Sequence, residues 1–199
     1  NNFWTKPICF GDPPSPRNAH SVTSVGSTLF MFGGHSGTKH LNDLYSFNVD
    51  SCMWTQIDTC GPPPPGLRGH TASAIGSKIF FFGGYDGRGR SSIVFTLNLE
   101  GNEWEHPKLA MDNAPAGRQR HTACLVGSKR LYILGGFDGY KWLNDIHVLD
   151  VGHLEESALT TKSTDSLVTN LKHLLNNEEM FPDVIFIVEN KRVYAHKAI

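Results

Sequence analysis

An apolar run that ends in two glycines and a turn occurs three times: "LFMFGGHSG" at 29–37, "IFFFGGYDG" at 79–87 and "LYILGGFDG" at 131–139. The pairs Gly33-Gly34, Gly83-Gly84 and Gly135-Gly136 lie 50 and 52 residues apart. His20, His70 and His121 precede them by similar distances, and Trp4, Trp54 and Trp104 recur every 50 residues. Three markers on one period define a repeated structural unit. Such a unit cannot bury its own apolar face, so the copies must stack and share a core.

Each copy reads as four short strands. "HSVTSVG" alternates, and "STLFMFGG" is a nearly continuous apolar run of the kind buried on both faces. "LNDLYSFNVD" alternates again, and "MWTQID" closes the unit. "YDG" and "FDG" supply Asp-Gly turns between the second and third strands, with "HSG" in the first copy. "GDPPSP" and "GPPPPG" lie between units, where no ladder hydrogen bond is needed.

A four-stranded unit with Gly-Gly, a following aromatic (Tyr85, Phe137), "LNDLY" or "LNDIH", and a spaced Trp resembles the kelch repeat, whose units are blades of a β-propeller. The resemblance covers residues 1–151 and implies a mainly all-β chain: the end of one blade, then about three blades, an incomplete propeller. Trp4 is expected to close a preceding blade, so the chain is expected to belong to a longer protein. An unclosed set of blades is not expected to fold cooperatively alone. Two departures stand out. The second copy has "SSIVF" where the others have "LND", and the third has Glu156 near the position where a tryptophan is due. The last blade is therefore degenerate, or its final strand comes from elsewhere.

After Asp150 the glycine and aromatic signals stop. Residues 152–165 read as a polar linker. Leu167, Val168, Leu171, Leu174 and Leu175 then mark one face of an amphipathic helix. "FPDVIFIVENKRVYAHKAI" follows as a strand, an Asn-Lys turn, a second strand and the start of a helix. This stretch resembles the opening of a BTB/POZ domain, through Phe181, Asp183-Val184, Phe186, Val188 and the segment 195–199. That assigns 166–199 to a truncated α/β domain. The resemblance implies a dimerisation helix bearing Leu167, Leu171, Leu174 and Leu175, or alternatively a helix packed on its own domain. Kelch units before a BTB domain match the order of the leucine-zipper-like regulator group.

The net charge of −1 gives no electrostatic reason to expect nucleic acid or a membrane surface as partner. No eighteen-residue apolar run predicts a spanning helix. The N-terminus has neither a signal peptide's pattern nor an initiating Met, so the true start is expected elsewhere. Cys9, Cys52, Cys60 and Cys124 form no CxxC pair, which fits a reduced, cytoplasmic setting. His35 and His40 are five apart without an evident third ligand, so no metal or cofactor is expected. Enzyme motifs are missing: "GGHSG" has the wrong spacing for a nucleophile elbow.

The remaining candidates are loop residues at one face of the propeller. Arg17, Asn18, Arg68, Arg118 and Arg120 precede the first strands, and His35, Tyr85, Arg88, Phe137, Tyr140 and Trp142 follow the glycine pairs. Arginines and aromatics dominate interface hot spots, and such a ring would suit an acidic or phosphorylated peptide. The alternative is that some of these arginines brace turns inside the propeller. The resemblances imply a non-catalytic adaptor: a kelch propeller binding a target protein, and a BTB domain dimerising and docking on a cullin-type ubiquitin ligase. The rival reading is a non-ligase scaffold in cytoskeletal organisation or vesicle traffic; a propeller enzyme is a third.

Overall fold

A computed structural model describes residues 2–109 and 112–152, and the backbone of two strands at 184–188 and 191–195. The chain divides into two compact units, Asn1–Gly152 and His153–Ile199.

The first unit contains three blades. Blade 1 is an antiparallel meander of β2 (Ser21–Val25), β3 (Thr28–Phe32), β4 (Leu44–Asn48) and β5 (Met53–Gln56), with β1 (Phe10–Gly11) added parallel outside β5. Blade 2 repeats it with β6 (Thr71–Ile75), β7 (Lys78–Phe82), β8 (Val94–Asn98) and β9 (Glu103–Glu105). Blade 3 has β10 (Thr122–Val126), β11 (Arg130–Phe137) and β12 (Trp142–Asp150), and among the described residues no fourth strand pairs with β12. The meander puts the start of the first strand, the end of the second and the start of the third at one end of every blade.

The innermost strands β2, β6 and β10 touch in that order. Blade 2 has a neighbour on both faces, so Ile79, Phe80, Phe81 and Phe82 are all buried, as the apolar run of β7 requires. Blade 3 has a neighbour on one face, and β12 accordingly alternates, leaving Ile146 and Val148 exposed.

The glycine pair answers to two different neighbours. A Cβ on Gly33 would lie 2.8 Å from the Leu67 carbonyl oxygen and 3.1 Å from the His70 ring, both in the next blade. A Cβ on Gly34 would meet the Asn18 oxygen at 2.8 Å, within its own blade. Both residues have positive φ, and Gly34 donates to the Leu67 carbonyl at 2.8 Å. Gly84 repeats that bond to Arg118. The double glycine is thus the place where successive backbones cross.

The recurring histidine and tryptophan join blades as well. His70 Nε2 lies 2.7 Å from the Ser21 hydroxyl, and His121 Nε2 lies 2.9 Å from that of Thr71, so each blade reaches back to its predecessor. Trp104 is buried against Phe32 of blade 1 and Phe81 of its own blade, with centroids 5.1 Å apart in both cases. The core cluster around it joins Phe32, Leu44, Leu67, Ile79, Phe81, Phe95 and Leu97. Trp4, on the same period, is fully exposed.

In the second unit, β13 (Val184–Val188) and β14 (Lys191–Ala195) form an antiparallel hairpin. Lys191, expected in the turn, lies in the strand opposite Val188. The expected helix with Leu167, Leu171, Leu174 and Leu175, most of the linker and Glu156 lie outside the described residues.

Candidate protein-interaction surface

At the end of the blades beyond the glycine pairs, each sheet continues as a narrow ladder. Asn18 bridges His35, which bridges His40; Arg68 bridges Tyr85, which bridges Arg90; Gln119 bridges Phe137, which pairs with Trp142. The loops between are closed by local hydrogen bonds. Asp86 Oδ1 accepts from the amides of Arg88 and Gly89, and Asp138 Oδ1 from those of Tyr140 and Lys141, all at 2.8 Å. Those two amides hold the Asp138 carboxyl below the usual carboxylate range.

The ladders set side chains in a row that crosses the blades. The rings of His35 and His40 meet at 4.8 Å, and His40 meets Tyr85 of the next blade at 5.4 Å. The guanidiniums of Arg68 and Arg90 stack on Tyr85 at 5.2 and 4.7 Å. Arg90 also reaches Phe137 of blade 3 at 5.4 Å, and Phe137 touches Trp142 at 5.1 Å. The contacts therefore run without a break from His35 to Trp142, with the guanidinium of Arg90 between the rings of blades 2 and 3. Stacked guanidiniums and rings hold one another rigid, and each loses little side-chain freedom when a partner binds.

This row unites five of the sequence candidates, His35, Arg68, Tyr85, Phe137 and Trp142, and adds two that sequence reasoning missed, His40 and Arg90. Both missed residues stand five positions after the residue that follows the glycine pair, as Trp142 does. That shared register was the signal available. Each also carries a buried nitrogen that has no hydrogen-bond partner among the described residues, His40 Nε2 and Arg90 Nε. Burial, then the charges of His35 and Arg68, push the His40 pKa down. Asn18, Arg88, Arg120 and Tyr140 are exposed around the row, and Tyr140 is 96% exposed.

Arg17 and Arg118 take the other alternative and leave the surface. Arg118 is completely buried, and its guanidinium forks onto Asp145 at 2.6 and 2.9 Å while also donating to the Gly135 carbonyl. Arg17 does the same to Asp43 and Gly33, with its side chain 2% exposed. Nε donates as well, from Arg17 to the Ser15 carbonyl and from Arg118 to that of Ala116, so guanidiniums buried and bonded in this way are turned away from a partner. The hydrogen bond from Arg118 holds Asp145 well below the usual carboxylate range.

Comparison with known proteins places the blades. The sequence model of the KLHDC2/KLHL20/DRC7 Kelch-repeats domain matches residues 1–173. The chain is 45% identical over 49 residues to Kelch domain-containing protein 2 of Bos taurus, covering 25% of this chain and 12% of that protein. It is 52% identical over 42 residues to Rab9 effector protein with kelch motifs of Gallus gallus, covering 21% and 11%. It is 37% identical over 57 residues to the Leucine-zipper-like transcriptional regulator 1 homolog of Drosophila melanogaster, covering 25% and 6%. The matched segments thus span at most about an eighth of these relatives.

Proposed function

Because the chain belongs to the Kelch-repeat family of the KLHDC2/KLHL20/DRC7 type, we propose that it recognises a target protein through the His35–Trp142 row and presents that target to an assembly bound elsewhere on the intact protein. The observation that carries this reading is the unbroken row of contacting rings, bridged by the Arg90 guanidinium, across three blades. Such a surface offers cation and ring face to an acidic or phosphorylated peptide. Its role is binding; catalysis has no place in it.

The assembly is a cullin-type ubiquitin ligase, engaged through a BTB domain that starts in residues 166–199 and also dimerises, the Leu167–Leu175 face included. The hairpin β13–β14 supports that reading as the strand pair such a start requires, and the similarity to a leucine-zipper-like regulator homolog agrees with the domain order. The adaptor then raises the effective concentration of its target near the ligase, in the cytoplasm. The second reading, a scaffold in vesicle traffic, is favoured by one observation: the similarity to proteins named as Rab9 effectors.

Affinity capture of the intact protein from its own cells, with and without residues 153–199, separates the two. A cullin captured only when 153–199 is present, with other partners kept in both, supports the adaptor. Partners held by the blades with no cullin in either sample overturn it in favour of the scaffold.

A further inference from the structure

In each blade the ladder beyond the glycine pair ends in a rung of three residues that share one face of the sheet. The rungs are Asn18–His35–His40, Arg68–Tyr85–Arg90 and Gln119–Phe137–Trp142. Only the rung of blade 2 flanks its aromatic ring with a cation on both sides. The two guanidiniums stand 5.2 and 4.7 Å from the ring centre of Tyr85. Glycine at 139 leaves the Arg90 group its place, since a Cβ there would lie 2.8 Å from Nη1.

Two like charges held this close repel one another, and among the described residues no carboxylate neutralises them. The ion pairs of those residues belong to Arg17, Lys78, Arg118 and His147. The loop carboxylates of Asp86 and Asp138 accept turn amides instead. The same loops and their flanks also carry Lys39, Arg88, Arg120 and Lys141, in a chain whose net charge is −1. This end of the blades is therefore locally cationic, with its centre on the blade 2 rung.

The chain's own ion pairs show what a carboxylate does with a guanidinium. Asp43 gives both oxygens to Arg17, and Asp145 gives both to Arg118. A carboxylate docked on the blade 2 rung would be used up on one arginine in the same way and leave the other uncompensated. A phosphomonoester carries about two negative charges and has three acceptor oxygens in a tetrahedral arrangement, enough for both arginines.

Resting on the reading of the row as the surface that holds a target protein, we propose that the target's anchor is a phosphorylated side chain, its phosphoryl group seated over Tyr85 between Arg68 and Arg90. The rings of Phe137 and Trp142, beyond Arg90, then flank the peptide around the modified residue. Recognition is thereby conditional on a kinase acting on the target, and the unmodified segment is not retained.

Calorimetric titration of the intact protein with phenyl phosphate and with benzoate tests the seat. Phenyl phosphate is expected to bind about tenfold more tightly, the equivalent of one further charge-assisted hydrogen bond. Arg68→Gln and Arg90→Gln, each with its thermal midpoint kept, are expected to erase that margin. Lys6→Gln, which removes an exposed cation outside the row, is expected to preserve it. Phosphatase treatment of a lysate is the second arm: partners that the blades hold from untreated lysate are expected to be missing afterwards. Benzoate bound as tightly as phenyl phosphate, a margin that survives both arginine substitutions, or blade-held partners recovered in full after phosphatase would overturn the inference. Those outcomes leave the row itself standing as long as a Tyr85→Ser, Arg90→Gln variant loses its partners. If that variant keeps them, the reading of the row has failed and the seat with it.

Discussion

At the scale of single residues, the second repeat shows what the buried ion pair does. Arg17 and Arg118 fork onto Asp43 and Asp145, whereas the same positions of blade 2 hold Leu67 and Ile93. Both partners change together, because a lone guanidinium in that place would be a buried charge without compensation. Asp145→Asn is therefore expected to destabilise the chain by about 2 kcal/mol. That is less than the ~3–5 kcal/mol of a fully enclosed pair, since the Asp145 side chain is 40% exposed. Arg118→Leu together with Asp145→Ile, the pair found in blade 2, is expected to recover most of that loss in urea unfolding. A double variant less stable than Asp145→Asn would refute the equivalence. The departure "SSIVF" was visible in the sequence, but its meaning was not, because nothing in the repeat alone tied Ile93 to Leu67. The arginines misled for a related reason. A guanidinium before a first strand reads the same whether it faces solvent or a carboxylate 26 or 27 residues on.

At the scale of elements, the joints between blades contain titrating groups. Burial lowers the pKa of His70 and His121 to about 4, with Arg118 adding to the effect at His121. Both stay neutral in the folded chain while an unfolded imidazole, with its ordinary value of 6.5, takes up a proton. The folded state is thus favoured fully above pH 6.5, and that contribution falls as the pH drops from 6.5 to about 4. Thermal unfolding followed across that window is expected to show a falling midpoint. His70→Gln, which keeps a polar partner for Ser21, is expected to flatten the fall. A midpoint insensitive to pH between those limits would remove the histidines from the blade interface. The elements themselves were legible in the sequence, since the glycine pairs, the apolar runs of β3 and β7 and the Trp period are direct consequences of blades packed face to face. The third strands begin later than expected, at Leu44 and Val94, because the residues ahead of them bond to other loops: Leu41 donates to Gly34, and Ser91 to Gly84.

At the scale of the whole molecule, one end of the blade array carries a row of contacting rings and guanidiniums that crosses all three blades. The row from His35 to Trp142 was half legible, because aromatics after Gly-Gly are conspicuous while His40 and Arg90 are identified only by register. Its continuity could not be read from the sequence at all. The contacts of His40 with Tyr85 and of Arg90 with Phe137 join different blades and depend on how those blades pack. The account rests on this row being where a partner binds. Quantitative capture of partners by the intact protein, compared with a Tyr85→Ser, Arg90→Gln variant, tests it most directly. Both residues lie in the row and outside the core cluster, so the thermal midpoint should stay nearly unchanged. The account predicts that partners held by the blades are lost from the variant. Recovery of the same partners in undiminished amount would contradict it.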